Sequence, residues 1–284
     1  MVNLNGTLVS AESKFFNHQN RGFRYGDALF ETVRIVNEVP YFLEDHYFRL
    51  MSSMRILRME IPMNFTMEFF QQELLKTVRA CDLSGTAVRA RFSVYREDGG
   101  YYEPHTNDIG YVIECAPLQS PFYLHDETAY EVELFKDFYA NADMLTNLKT
   151  NNKIIHTVAS VFAKENGYDN CLLLNHEKKV IEAINGNVFL VNEQGIKTPP
   201  LKDGCLDGIL RKKIIQILQN HPDYTIVEES ISPFELQKAD EIFITNVIMG
   251  IQSITRYRKK DFQSTTAQDL IGKLNAQARL GQPN

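Results

Sequence analysis

The segment from Asn147 to Asn175, NLKTNNKIIHTVASVFAKENGYDNCLLLN, constrains the fold of this chain more than any other. Its apolar residues recur with helical spacing and predict an amphipathic helix; they are Ile154, Ile155, Val158, Val161 and Phe162. Gly167 predicts the end of that helix. The apolar run CLLL that follows is long enough for a buried strand and too short for a helix. The segment therefore predicts a helix that leads directly into a buried strand.

Lys149 stands just before this helix, at the end of a strand or loop. Chain positions of this kind display catalytic side chains in many enzymes. A solvated loop lysine is the simpler interpretation of any single lysine. A catalytic interpretation of Lys149 therefore depends on the rest of the chain.

The remaining patterns mix strands with helices and predict an α+β, or mixed α/β, fold. Ala28–Val36 alternates with strand period, which places Phe30, Thr32 and Arg34 on one face. A hairpin is predicted at Asn3–Ser10, and further strands at Val39–Leu43, Ala87–Arg96, Ile109–Leu118 and Asp240–Val247. Helices are predicted at Glu44–Met59, Thr66–Cys81 and Gly208–Asn220.

A stretch with two prolines and mixed polarity predicts a boundary between two domains. The predicted limits are residues 1–118 for a small domain, 119–126 for the linker and 127–284 for a larger domain. A chain of 284 residues is long enough to bury the cores of two modest domains.

Composition and charge exclude several classes of function. With 44% hydrophobic residues, 23% charged residues and a net charge of -6, the chain has the composition of a soluble globular protein and not that of a general nucleic-acid binder. No apolar stretch approaches the roughly 20 residues that cross a bilayer, so no membrane association is expected. The four cysteines are far apart, which predicts reduced thiols in a cytoplasmic protein and neither a disulfide framework nor a metal site.

Five segments, in order, resemble the class IV (fold type IV) pyridoxal-phosphate enzymes. They are RGFRYGDALFETVRI, FLEDHYFRL, LKTNN with AKENGYDNCLLLN, IEAINGNVFLV with LDGILRK, and EIFITNVIMGIQSI. That family includes branched-chain aminotransferases, D-amino-acid aminotransferases and aminodeoxychorismate lyases. The resemblance implies a small N-terminal α/β domain and a larger, β-barrel-like C-terminal domain with flanking helices. It also implies pyridoxal 5'-phosphate as cofactor, an amino-acid-type small-molecule substrate and a homodimer.

The resemblance implies roles for individual residues that hold the cofactor. Lys149 matches the lysine of the family's K-x-x-N motif, which forms a Schiff base with the cofactor and carries the proton of the reaction, and Asn152 is its partner position. Glu182 matches the strand-end glutamate that keeps the pyridine nitrogen protonated. Arg49 matches the arginine whose planar fork binds the phosphate. The remaining phosphate contacts are implied for Gly208, Ile209, Leu210, Asn246 and Val247.

The same resemblance implies a substrate site in the first part of the chain. Its candidates are Tyr25, Phe30, Arg89, Arg91 and Arg96. The substrate carboxylate needs a cation, and the three arginines lie on one predicted strand. Strand register decides which of them points inward, because a slip of one residue reverses the choice.

The motifs divide between the subgroups of the family. DGILR, TNVIMGI and Lys153 resemble the lyases, since Leu210 and Val247 stand where the transaminases usually have threonine. RYGDALFET resembles the transaminases equally. Asp207, as the N-cap of a helix, would compete with the phosphate for main-chain amides.

Three functions follow from this division. The sequence favours a 4-amino-4-deoxychorismate lyase of folate biosynthesis, which releases 4-aminobenzoate and pyruvate through an external aldimine. The alternative is a branched-chain or D-amino-acid aminotransferase with 2-oxoglutarate as acceptor. The third is a non-catalytic pyridoxal-phosphate-binding protein, which the joint presence of Lys149, Glu182 and Arg49 disfavours.

Overall fold

The computed structural model describes residues 1–280 of the chain. Packing divides these residues into two compact units. The first comprises Met1–Pro121 together with Lys149–Asn152, and the second comprises Phe122–Leu148 together with the residues from Lys153 onward. The domain limits inferred from sequence remain a prediction. The packing adds that Lys149–Asn152 belongs with the first unit.

The first unit is built on a six-stranded antiparallel sheet with strand order β2-β1-β6-β5-β3-β4. Its elements in chain order are β1 (Val2–Leu4), β2 (Thr7–Val9), α1 (Arg21–Tyr25), β3 (Ala28–Val36), β4 (Val39–Pro40), α2 (Leu43–Ile56), α3 (Met67–Ala80), β5 (Ala87–Arg96) and β6 (Ile109–Pro117). The predicted strand at Val39–Leu43 is wrong beyond Pro40, because Phe42 is already the N-cap of α2.

The two faces of β3 differ as the alternation predicts. Val33 and Ile35 are fully buried on the face that α2 covers. On the other face, Phe30 pairs with Ser93 and Thr32 pairs with Arg91 across the ladder to β5. A slip of one residue would exchange the two faces and remove these apolar side chains from their packing against α2. Packing of the apolar face against α2 therefore favours this register.

A short segment that is distant in sequence extends the sheet at the start of β3. Thr150 forms an antiparallel bridge with Leu29. The Phe30 amide donates to the Lys149 carbonyl at 2.9 Å, and the Asn151 amide donates to the Ala28 carbonyl at 2.9 Å. Lys149 is therefore held in extended backbone beside a strand, and the solvated-loop interpretation does not apply to its main chain.

The second unit contains two five-stranded sheets with strand orders β12-β11-β10-β13-β14 and β16-β15-β7-β8-β9. Its elements are β7 (Glu131–Leu134), α4 (Ile154–Glu165), β8 (Asn170–Leu174), β9 (Val180–Ala183), β10 (Asn187–Asn192), β11 (Gly195–Thr198), α5 (Ile209–Gln219), β12 (Ile226–Glu228), α6 (Pro233–Leu236), β13 (Glu241–Asn246), β14 (Gly250–Ile254), β15 (Arg256–Tyr257), β16 (Lys260–Asp261) and α7 (Thr265–Leu280). Side chains of both sheets, among them Leu172, Val188 and Ile242, form one buried apolar cluster.

The helix and strand predicted after Lys149 are α4 and β8. Ala159 and Ala163 of α4 are buried in a cluster with Leu173 of β8. The helix gives way to Asn166 and then to Gly167, which has a positive φ of 75°. The α+β fold class is confirmed by the helices and mixed sheets of the two units. Within residues 1–280, no helix has the length and apolarity that a membrane crossing would need.

Candidate active site

In the first unit, the side chain of Lys149 lies beside an aromatic ring that a second cation also contacts. The Lys149 Nζ is 4.5 Å from the centroid of the Phe30 ring, and the Arg91 Cζ is 3.9 Å from the same centroid. Arg91 also reaches the Asn151 side-chain oxygen at 3.5 Å and the Ser93 hydroxyl at 3.2 Å. The structure thus brings together three of the predicted residues, Lys149, Phe30 and Arg91, on the face of the sheet opposite α2.

Arg49 on α2 is paired with a buried carboxylate. Its Nε and Nη2 donate to the two oxygens of Glu31 at 2.8 and 2.6 Å, and His46 Nδ1 lies 2.6 Å from the same carboxylate. Burial of Glu31 would raise its pKa, but the charge of Arg49 and the His46 hydrogen bond outweigh burial and lower the pKa to about 2. Glu31 is therefore an anion at neutral pH.

This pairing changes the expected geometry of phosphate binding. The Nε–Nη2 edge of Arg49 would suit a bidentate phosphate contact, but it already forms two hydrogen bonds with Glu31. Glu31 fixes the plane and direction of Arg49.

His46 is a neutral member of the same cluster. Burial lowers the pKa of His46, and the Glu31 hydrogen bond offsets this only in part. Its Nε2 is buried with no hydrogen-bond partner among the described residues. A neutral ring with hydrogen on Nδ1 satisfies Glu31 and leaves only a bare acceptor at Nε2.

The three arginines of β5 have different surroundings. Arg96 is buried and donates to Asp27 at 2.8 Å, to the Asn107 side chain, and to the Leu57 and Arg58 carbonyls. These contacts give Arg96 a structural role. Arg89 and Arg91 alternate with buried residues and lie on the face of Phe30. Burial lowers the pKa of Arg91, yet a guanidinium stays charged at any physiological pH.

The other two candidates of the first unit lie at the turn after α1. Tyr25 contacts Tyr102, with ring centroids 5.6 Å apart, and the Arg21 guanidinium lies 5.0 Å from its ring. The Asn152 side-chain amide donates to the Gly26 carbonyl at 3.2 Å. Gly26 has a positive φ of 64°, and a Cβ there would lie 2.2 Å from the Asn152 side-chain oxygen. In this structure Asn152 therefore stabilises the turn.

In the second unit, Glu182 is a buried carboxylate at the end of β9. His156 Nε2 lies 2.9 Å from its Oε1, and the Leu206 amide donates to its Oε2 at 2.9 Å. Burial would raise the pKa of Glu182, but the His156 hydrogen bond, the charge of Lys153 and the Leu206 amide together lower it. Glu182 therefore remains ionised in a buried position, as an anion that faces a protonated ring nitrogen must.

The loop from Leu206 leads into α5 without a side-chain cap. Gly208 is the N-cap and has no side chain to bond the first-turn amides, so Asp207 is not the cap residue of this helix. The side chains of Ile209 and Leu210 are buried, which leaves main-chain amides as the donors at this helix end. Gly208 is close-packed, since a Cβ there would lie 1.9 Å from the Asn187 side-chain oxygen.

The turn after β13 is stabilised by Asn246. Its side-chain oxygen accepts from the amides of Ile248 and Met249 at 3.0 and 2.9 Å, and its amide donates to the Asn185 carbonyl. The Val247 carbonyl accepts from the Tyr123 hydroxyl at 2.9 Å. These contacts place Asn246 and Val247 in a structural turn.

Sequence comparison decides the family. A sequence model described as "Amino-transferase class IV" matches residues 28–257. The chain belongs to the class IV aminotransferase family. Members of this family are pyridoxal-phosphate-dependent aminotransferases and lyases, so the predicted enzyme class and cofactor are confirmed.

Relatives in this class IV family carry both types of name. A Methanocaldococcus jannaschii protein named as a branched-chain-amino-acid aminotransferase is 27% identical over 250 residues, with 88% of this chain and 85% of the relative covered. The branched-chain aminotransferase of Thermoproteus uzoniensis, solved with norvaline, superposes with a TM-score of 0.86 at 25% identity over 99% of this chain and 94% of its own. A Legionella pneumophila structure described as a 4-amino-4-deoxychorismate lyase has a TM-score of 0.81 at 25% identity over 93% and 96%.

The residues of the second unit fit pyridoxal phosphate. Glu182 is a buried anion that would suit the ring nitrogen, and the main-chain amides at the start of α5 would suit a phosphate. Thr245, one residue before Asn246, has a buried hydroxyl with no hydrogen-bond partner among the described residues. Thr245 pairs with Asn187, whose amide donates to the Leu206 carbonyl beside Gly208. A phosphate oxygen would provide the missing partner of that hydroxyl.

The structure adds residues that the sequence patterns did not single out. Glu31 and His46 were detectable in principle, since a charged residue stands at a core-facing position of β3 and a histidine lies three residues before Arg49 on α2. His156 had no signal of its own, because its partner Glu182 is 26 residues away in sequence. The sequence does not distinguish Thr245 from its neighbour Asn246. Only the structure does so, because the Thr245 hydroxyl is buried and has no hydrogen-bond partner among the described residues.

Proposed function

We propose that this class IV enzyme is a 4-amino-4-deoxychorismate lyase, which cleaves its substrate to 4-aminobenzoate and pyruvate. The observation that carries the proposal is the cationic face beside Lys149. Arg91 lies against the same Phe30 ring as Lys149, and Arg89 follows on the same face of β5. Each product carries one carboxylate, so the substrate carries two, and two guanidinium groups suit a dianion.

The cofactor supplies a carbonyl that binds amines covalently and a ring that accepts the electrons of a broken bond. We assign the covalent attachment to Lys149, the phosphate contacts to Arg49, Thr245 and the amides of α5, and the ring nitrogen to Glu182. The support is the motif match, the ionised state of Glu182 and the unpartnered Thr245 hydroxyl.

Lys149 is the base that removes the hydrogen from the substrate carbon bearing the amino group. The carbon–oxygen bond to the enolpyruvyl group then breaks, the ring becomes aromatic, and the released enolate takes the proton on its methylene carbon to become pyruvate. No water is consumed in this balance. Arg91 and Arg89 hold the carboxylates, while Phe30 provides an apolar surface for the substrate ring.

The second candidate is an amino-acid aminotransferase. It is favoured by the names of relatives such as those from Methanocaldococcus jannaschii and Thermoproteus uzoniensis. Its acceptor, 2-oxoglutarate, is also a dicarboxylate that Arg91 and Arg89 would suit. The two candidates share the proton removal by Lys149 and differ in which bond breaks next.

Product analysis distinguishes the two candidates. Purified holoenzyme is incubated with 4-amino-4-deoxychorismate alone, and separately with amino acids of both configurations plus 2-oxoglutarate. Equimolar 4-aminobenzoate and pyruvate, absent with Lys149→Ala, is the expected outcome. Glutamate formation without 4-aminobenzoate would replace the lyase with the aminotransferase. Inactivity in both assays, with cofactor bound, would support a binding protein instead.

We further propose a cytoplasmic homodimer that acts in folate biosynthesis. The support for a second copy is the exposed aromatic surface of the first unit, where Phe23, Tyr101 and Tyr102 are 83%, 78% and 91% exposed. The support for the cytoplasm is that all four cysteines are free thiols. Sedimentation analysis of the wild type and of Tyr102→Asp tests the dimer, since a charge in an apolar interface would favour monomers.

A further inference from the structure

His156 directly contacts the carboxylate that we assign to the ring nitrogen. It lies on α4 with its Nε2 2.9 Å from Glu182 Oε1. An ionised carboxylate only accepts hydrogen bonds, so Nε2 is the donor. The Leu206 amide donates to the other oxygen. Glu182 therefore receives one donor from a side chain and one from the main chain.

The surroundings of His156 fix its tautomer. Its Nδ1 is buried and has no hydrogen-bond partner among the described residues. A hydrogen on Nδ1 would be a buried donor without an acceptor, which costs more than an unpaired nitrogen lone pair. The neutral ring with hydrogen on Nε2 meets both conditions. His156 is thereby oriented as a donor to Glu182.

Other charged groups in this region lie at the start of α4, in the loop before α5 and on α5 itself. They are Lys153, whose charge lowers the pKa of Glu182, and Asp203, Asp207 and Arg211, which with Glu182 act on the nearby Cys205 thiol. Among the groups that act on Glu182, His156 supplies the side-chain hydrogen bond. Removal of His156 would leave a buried anion with one hydrogen bond fewer.

We propose that His156 is a positioning residue, which holds Glu182 ionised and aimed so that Glu182 can keep the cofactor's ring nitrogen protonated. This inference rests on the proposed role of Glu182. Without the His156 donor the carboxylate becomes a stronger base, and it would withdraw the proton from the ring nitrogen that it should only stabilise. In this proposal His156 acts on the cofactor only through Glu182 and does not itself contact the cofactor.

The test compares three histidine variants. His156→Leu removes the donor, and His156→Gln keeps an N–H donor on a side chain of similar length. His176→Gln is the matched control, because His176 is exposed and bonds only Asn141 among the described residues. A melting temperature within a few degrees of wild type in the cofactor-free proteins shows that each variant folds.

The first readout needs no activity. In cofactor-free protein with ¹³C-labelled glutamate side chains, the Glu182 carboxyl signal is assigned with Glu182→Gln and followed against pH. We expect His156→Leu to raise its titration midpoint by about one to two pH units, the value of a lost hydrogen bond to a charged group. His156→Gln should recover most of the shift, and His176→Gln should match wild type.

The second readout uses the holoenzyme. We expect His156→Leu to lower kcat by about tenfold to a hundredfold, to change KM by less than about threefold, and to alter the absorption spectrum of the bound cofactor. An unchanged titration midpoint in His156→Leu, or equal damage in the Gln and Leu variants, would overturn the proposal. If Glu182→Gln itself leaves spectrum and kcat unchanged, the role of Glu182 fails. If Glu182→Gln changes the spectrum and kcat but the His156 variants change neither, only the role of His156 is contradicted.

Discussion

Arg49 and Glu31 form a two-bonded ion pair inside the first unit, with the guanidinium Nε and Nη2 at 2.8 and 2.6 Å from the two carboxylate oxygens. Glu31 is 1% exposed, so this carboxylate depends on Arg49 and His46 for its hydrogen bonds. The arginine that we assign to the cofactor phosphate is therefore also part of the core. Stability and cofactor affinity are linked at this residue.

Substitution of Glu31 should change how the stability of the protein depends on pH. The pKa of Glu31 falls from an ordinary 4.5 to about 2 on folding, so its stabilisation is fully present above pH 4.5 and is lost as pH falls toward 2. The shift corresponds to a contribution of Glu31 to the free energy of unfolding on the order of 3 kcal/mol at pH 7. Urea unfolding of cofactor-free wild type and Glu31→Gln should therefore differ most at pH 7 and converge as pH falls toward 2.

Glu38→Gln is the control for this prediction. Glu38 forms the same two-bonded pair with Arg79, but on the exposed surface, so its removal should change stability little at any pH. A Glu31→Gln variant whose unfolding free energy parallels that of wild type from pH 7 to pH 3 would contradict the assignment.

Substitution of Arg49 should weaken cofactor binding and also destabilise the apoprotein. Arg49→Ala removes a charged phosphate contact. We expect the Kd of the cofactor to rise, with a loss of about 2–4 kcal/mol of binding free energy. The substitution also leaves Glu31 buried without its cation, which lowers the melting temperature. Equilibrium dialysis and thermal unfolding measure the two effects.

The double variant Glu31→Gln/Arg49→Ala separates these effects. It removes the unpaired buried charge, so stability should recover in part while cofactor affinity stays low. Arg55→Ala, at an exposed position of the same helix, is the matched control. Recovery of affinity together with stability would show that Arg49 acts on the cofactor only through folding.

Lys149 should be the site of covalent cofactor attachment. Borohydride reduction followed by peptide mass spectrometry should find the cofactor on the peptide containing Lys149, and Lys149→Ala should abolish both this adduct and turnover. Lys164→Ala, an exposed lysine on α4, should behave as wild type. A reducible adduct that persists at full yield in Lys149→Ala would place the attachment elsewhere.

Arg91 and Arg96 should differ in what their loss affects. Arg91 lies on the face of Phe30, so Arg91→Ala should raise the substrate KM by about tenfold to a hundredfold with little change in melting temperature. Arg96 is buried against Asp27, so Arg96→Ala should cost about 3 kcal/mol of stability. Steady-state kinetics and urea unfolding of both variants check this, and an exchange of the two phenotypes would reassign the substrate contact to Arg96.

The local patterns of the sequence determined the elements around the site. Strand alternation places Phe30 and Arg34 opposite Val33 and Ile35, and the structure has that arrangement because one face of β3 is buried under α2. The helix before Gly167 and the buried strand after it are present for the same reason. Motif order and spacing also determined the family. These properties are encoded by residues near one another in sequence, where periodicity is readable.

The tertiary structure alone decided which charges meet. The sequence does not distinguish the roles of Arg91 and Arg96. In the structure Arg96 pairs with Asp27 and is structural, whereas Arg91 lies against the Phe30 ring and is the arginine that we assign to the substrate. Glu31 forms a bidentate pair with Arg49, 18 positions away on a different element. His156 contacts Glu182, 26 positions away on a different element. Such partners depend on sheet register and helix packing, and burial then fixes the ionisation of Glu31 and Glu182 through the hydrogen bonds available. Periodicity carries no information about those distances, so the sequence named the charged residues and the fold assigned their partners.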